Sequence, residues 1–142
     1  MLPYFSSYFG NTASRTHYYG LQAERAVEIA RKRIAALISA YPEELVFTSG
    51  ATESINLALK GLLPYAYKKN RLTLPSSPTE HKAVLDTLDY LTGKGIQVKW
   101  LRVNPQGIVE PDELKRQLDD SVFLVSLMYV NNETGVLHPI SE

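Results

Sequence analysis

Apolar residues recur at helical and strand-like spacings along most of the chain. Over residues 21–39, Val27, Ala30, Ile34, Leu37 and Ile38 fall at helical intervals, with Glu28 four residues before Lys32, so a helix is predicted there. Tyr41-Pro42 stops it. The short apolar run 44–48 predicts a strand covered on both faces. Residues 52–66 read as the next helix, with Ile55, Leu57, Leu59, Leu62 and Leu63 apolar, and 71–74 as a second strand closed by Pro75. Thr79 is placed to cap a helix running to about Leu91, with Val84, Leu85, Leu88 and Leu91 on its inner face and Gly93 and Gly95 beyond it. Residues 97–103 alternate and predict a third strand. Pro111, followed by Asp112 and Glu113, opens a short helix. The run 121–129 is the most apolar and predicts a fourth strand. Ahead of all this, residues 1–19 are aromatic and turn-rich, with Tyr4, Phe5, Tyr8 and Phe9 early. They read as an arm lying on a larger body or another subunit, or else as a loosely held end.

Strands alternating with helices over 20–142 predict an α/β fold with a mainly parallel sheet. Ligands of such sheets sit beyond the C-terminal ends of the strands. The run from Phe47 to Ser54, FTSGATES, reads there as strand, glycine turn and first helical turn. This arrangement aims unpaired backbone N–H groups and the positive helix end at one point, where phosphate is the usual occupant. Ser49 and Thr52 add hydroxyls, while the lysine and glycine spacing of a nucleotide P-loop are missing. A small phosphorylated cofactor fits this pattern; an ordinary capped strand-to-helix corner fits it as well. His81 follows the second strand, and the turn from Asn131 to Gly135 follows the fourth, so three polar clusters share one predicted rim.

Composition narrows the possibilities. The 142 residues are 44% apolar and 21% charged with zero formal net charge, ordinary for a globular domain. Acidic and basic residues are interleaved, which argues against a nucleic-acid surface. No apolar run has the length of a membrane span, and no export signal is visible, so a cytoplasmic location is expected. The absence of cysteine removes disulfides, thiolate metal sites and thiol nucleophiles from this chain. His17, His81 and His138 lack the spacing of a metal site.

The three clusters, in this order, resemble the cysteine desulfurases, pyridoxal-phosphate enzymes of the class V aminotransferase group with fold-type I architecture. The resemblance covers nearly all of the chain. It runs through Phe9-Gly10-Asn11, Ser14-Arg15-Thr16-His17, the stretch from Phe47 to Ser54, Asn56-Leu57-Ala58, the stretch from Thr79 to Thr87, and Val130-Asn131-Asn132-Glu133 with Gly135-Val136. Thr12 stands where that family usually has proline, and Thr134 where isoleucine is common. The resemblance implies a partial three-layer αβα large domain that binds pyridoxal 5'-phosphate. It implies that Ala51 and Thr52 hold the cofactor phosphate, that His81 stacks on the pyridine ring and relays protons, and that Asn131 hydrogen-bonds the phenolic oxygen. Asn132 and Glu133 are expected to brace the turn.

Other parts of the family's machinery have no counterpart here. The lysine that anchors the cofactor, the acid facing the pyridine nitrogen, the substrate arginine and the sulfur-accepting cysteine are expected on later segments of the family sequence. Lys82, next to the stacking histidine, is expected to be an exposed helix lysine rather than the anchor. The chain therefore reads as an incomplete N-terminal portion of the cofactor domain, spanning residues 1–142, with a short family segment ahead of Met1 also missing. The implied parent reaction converts L-cysteine to L-alanine and leaves a persulfide on an enzyme cysteine. That sulfur feeds an acceptor protein, for iron–sulfur cluster assembly or thiolation. The resemblance implies a homodimer, or the missing C-terminal part, as partner, and a sheet ending at the fourth strand is expected to leave an open edge and a chain that is marginal, aggregating or dependent on a partner. The alternatives are a portion of another class V lyase or transferase, and a non-catalytic piece that binds a complementary chain.

Overall fold

A computed structural model describes residues 2–140. They form two compact units, one ending at Phe47 and the other beginning at Thr48.

The first unit carries helix α1, Pro3–Ser6, and the long helix α2, Tyr18–Leu37. Helix α2 starts earlier than the predicted residue 21, because His17 caps it: the Gly20 N–H donates to His17 Nδ1 at 3.2 Å. The aromatic arm packs backbone to backbone against that start. A Cβ on Gly10 would lie 2.0 Å from the Tyr19 carbonyl oxygen, and one on Gly20 would lie 1.7 Å from that of Ser14. Only glycine fits either position. After α2 the chain makes a single 3-10 turn, Pro42–Glu44. The strand expected over 44–48 does not form within this unit. Among the described residues no ladder partner lies beside it; instead Arg31 Nη1 donates to the carbonyls of Pro42 and Leu45, and its guanidinium lies 4.6 Å from the centre of the Phe47 ring.

The second unit is a small parallel sheet backed by helices. Helix α3 spans Ala51–Gly61 and α4 spans Leu63–Lys69. The single helix predicted over 52–66 breaks at Leu62, because Pro64 cannot donate to the preceding turn and instead opens α4. Strand β1, Thr73–Ser76, pairs in parallel with β2, Gln97–Trp100. Helix α5, Lys82–Thr92, connects them, and α6, Pro111–Gln117, follows. The third predicted strand stops at Trp100, and Val103 instead forms an antiparallel bridge with Val109.

The four-strand sheet of the sequence reading is thus reduced to two strands and a bridged segment among the described residues. The predicted fourth strand runs parallel beside β1 but touches its ladder only at Thr73↔Val122 and Ser76↔Ser126. Pro75 explains the gap. It was expected to close β1 and lies inside it instead. Its carbonyl accepts from Ser126 N–H at 3.1 Å, but it has no N–H to return.

One core holds this unit together. Leu59, Ala66, Leu74, Val84, Leu88, Leu91 and Ile96 are buried between the helices and β1, with Ile55, Phe123 and Leu124 packed against them. Three of the four inner positions predicted for α5, Val84, Leu88 and Leu91, are buried, while Leu85 is only partly buried and Thr87 takes a buried place instead.

Candidate functional site

The start of α3 presents a set of unpaired donors. Gly50 caps the helix with no side-chain hydrogen bond. Among the described residues, the backbone N–H groups of Ala51, Thr52 and Glu53 donate to nothing. The Thr52 hydroxyl also has no partner among them, while Ser49 Oγ donates to Glu53 Oε2 at 2.6 Å. Ser49 was expected as a further donor and is already engaged. A Cβ on Gly50 would meet nothing within 4 Å, so the approach to these amides is open. An anion fits this corner on geometry and dipole alike.

Glu53 tempers the local charge. Its carboxylate accepts from both the hydroxyl and the N–H of Ser49, the latter at 2.7 Å, and these bonds hold its pKa below the usual carboxylate value. Thr48 Oγ1 and Ser54 Oγ, 2.6 Å apart, lock the turn on its other side.

His81, expected within the first helical turn, is instead the N-cap of α5, in place of Thr79. Its Nδ1 accepts the Ala83 N–H at 3.1 Å, which leaves Nε2 for other chemistry. The imidazole is exposed, and Lys82 beside it pairs with Asp86 at 2.7 Å on the helix surface, as expected of a surface lysine. Asn131 is half-buried and binds three ways. Its Nδ2 donates to the Thr79 carbonyl at 2.9 Å, and its Oδ1 accepts from the N–H groups of Glu133 and Thr134, each at 2.9 Å. The Asn131 turn is therefore tied to the loop that carries His81.

Helices α3 and α5 pack along one another, and Lys60 Nζ sits 4.3 Å from the centre of the Tyr90 ring near both C-termini. Each helix is 11 residues long.

One residue of this corner escaped the sequence reading. Glu80 is 7% exposed, and its Oε1 accepts the Met128 N–H. Burial pushes its pKa up, against the opposing pull of that hydrogen bond. A glutamate beside a helix cap reads from sequence as a solvent-facing first-turn acid, and only the long-range contact reveals otherwise. Among the described residues, no group of three or more His, Cys, Asp or Glu side chains is placed to hold a metal ion. No helix among them is long and apolar enough to cross a membrane.

Comparison with known proteins gives a consistent answer. A model of the class V aminotransferase family matches residues 1–142. The mitosomal cysteine desulfurase of Trachipleistophora hominis is 48% identical over 143 aligned positions, covering 100% of this chain and 32% of that protein. The cysteine desulfurase IscS of Rickettsia akari is 52% identical, with 100% and 34% covered. The solved structure of a NifS-like protein superposes with a TM-score of 0.90 at 40% identity, covering 98% of this chain and 38% of that one. The chain spans about a third of the length of the curated relatives it matches. It belongs to the class V aminotransferase family, and the relatives it resembles there are cysteine desulfurases.

Proposed function

We propose that this chain supplies the phosphate- and ring-binding half of a pyridoxal 5'-phosphate site in a cysteine desulfurase, as the N-terminal portion of its large domain. The observation that carries the reading is the open set of unpaired amides at Ala51, Thr52 and Glu53 at the start of α3. The residues fit the group: the three N–H groups and the Thr52 hydroxyl match a phosphate, an exposed imidazole matches a ring face, and the Asn131 amide matches a phenolic oxygen. When bound, this cofactor supplies an electron sink for bonds at the amino-acid α-carbon. His81 would hold the ring and move a proton through Nε2. Asn131 would orient the ring from the strand end, and the cradle would fix the anionic tail.

The parent reaction is proposed to be removal of sulfur from L-cysteine, giving L-alanine and an enzyme persulfide that is passed to an acceptor protein, in the cytoplasm. The chain itself holds no cysteine, so it has no thiol to receive sulfur, and we expect no turnover from it alone. Its proposed partner is a second copy or the remaining part of the enzyme. The exposed apolar side chains of both units support such a partner, Phe9 and Leu37 in the first and Tyr129 and Leu137 in the second among them.

An absorbance titration of the purified chain with pyridoxal 5'-phosphate tests the reading. The expected result is saturable binding of the free aldehyde, displaced by inorganic phosphate. No saturable binding, or binding indifferent to phosphate and to Thr52→Ala, would refute it.

A further inference from the structure

Two segments must be held in register for His81 and Asn131 to meet one ligand. The first is the loop 77–81 after β1, and the second is the bridged segment ending near Met128. The bridges between that segment and β1 stop at Ser126, two residues short of Met128. Beyond that point the sheet no longer fixes their separation.

We propose that Glu80 is a positioning residue for the site: its buried carboxylate clasps the His81 loop to the end of the bridged segment that leads to Asn131. The proposal rests on the roles given above to His81 and Asn131. Glu80 immediately precedes His81 in the chain, and Met128 lies three residues before Asn131. Its Oε1 takes the Met128 N–H, while the Asn131 amide reaches back to the Thr79 carbonyl. The two bonds cross the same gap in opposite senses, a side chain of each segment reaching the backbone of the other. The loop is stiffened from within as well: Ser77 Oγ and Thr79 Oγ1 are 2.7 Å apart, and the Glu80 N–H donates to the Ser77 carbonyl at 3.3 Å. A buried carboxylate is a costly way to bind one amide, since an apolar side chain would fill the space without desolvating a charge. What it provides is a fixed length between two backbones. Glutamine preserves that length, aspartate shortens it by one methylene, and alanine removes it.

The test compares the 142-residue chain with Glu80→Gln, Glu80→Asp and Glu80→Ala, and with Leu88→Ala as a core control two turns along α5. Hydrogen exchange followed by NMR without ligand reads the clasp. In the unaltered chain the Met128 amide should exchange much more slowly than that of Tyr129, which lacks a partner among the described residues. Glu80→Ala should speed exchange of the Met128 amide and of the Asn131 side-chain amide by about tenfold beyond any global change, and Glu80→Gln by no more than about threefold. Leu88→Ala should move these two signals only as far as it moves the core amides. Titration with pyridoxal 5'-phosphate reads the positioning. Affinity should fall about tenfold in Glu80→Ala and measurably in Glu80→Asp, and stay near the original in Glu80→Gln and in folded Leu88→Ala. Should Glu80→Ala not fold, Glu80→Asp and Glu80→Gln still divide the outcomes. A Met128 amide as fast as that of Tyr129, or equal affinity in Glu80→Asp and the unaltered chain, overturns the proposal. The expected exchange pattern with no cofactor bound by any version supports the clasp and counts against the functional reading alone.

Discussion

Glu53 is the third residue of α3 and sets a negative charge beside the amides proposed to hold phosphate. Glu53→Gln keeps an acceptor for Ser49 and removes that charge. A charge at a helix start is worth about 0.3–1 kcal/mol, so phosphate and cofactor affinity should rise about twofold to fivefold, read by the same titration at low salt. Asn131→Asp tests the link to Thr79. A carboxylate still accepts from Glu133 and Thr134 but faces the Thr79 carbonyl with no proton to give. Urea denaturation should show a loss of about 1–3 kcal/mol. His138 is 1% exposed, takes the Val109 N–H on Nδ1, and leaves Nε2 without a partner among the described residues. Burial pushes its pKa below 6.5. The neutral ring is the folded form, so its contribution is complete above about pH 6.5 and is lost as pH falls through the depressed folded value. Denaturation at pH 8 and pH 5 should show this loss, and His138→Gln should lack that part of it. Some of these positions were legible in the sequence. The glycine turn before Ala51 and Thr52 advertises a helix start, His81 follows β1, and Asn131 opens the turn after the bridged segment. The buried state of Glu80 and His138 was not legible, because it is made by residues 48 and 29 positions away along the chain.

At the scale of elements, helices were easier to read than strands. The helices predicted at α2 and α5 form because each makes its backbone bonds internally, although Val27, Ala30, Ile34 and Leu37 of α2 stay exposed. A strand depends on a neighbour that sequence does not name. The run 44–48 has strand composition but no ladder partner among the described residues, and the run 121–129 meets a β1 that lacks one donor at Pro75. Pro75→Ala restores that donor. A newly protected amide should appear at residue 75 by hydrogen exchange. Overall stability should change by less than about 1 kcal/mol, because the added bond is offset by the greater freedom of the unfolded chain. If residue 75 exchanges as freely as a loop amide, the account of the broken ladder is wrong. Pro64 shows the converse limit: its effect on the predicted long helix is plain once proline is given its usual weight.

For the molecule as a whole, much apolar surface stays in water. Leu37 is 85% exposed, Phe9 75% and Val46 67%, and each of the two units has such residues. At about 25 cal/mol per Å², a few hundred Å² left uncovered forfeits several kcal/mol, comparable with a domain's net stability of roughly 5–15 kcal/mol. The purified chain should therefore associate, and its unfolding midpoint should rise with concentration in sedimentation and thermal-melt experiments. A cooperative transition of a monomer, independent of concentration, is the contrary result. Leu88→Ala, in the core, should cost about 2–5 kcal/mol and leave little margin. The glycine contacts of the first unit carry a different lesson. Where the arm's backbone presses on the start of α2, at Gly10 and Gly20, there is no slack for even one methyl group. The arm is thus riveted to the helix rather than draped over it. An alanine at either point would spring it loose and open the stretch between those rivets to a protease, although no side-chain contact of the arm had been touched.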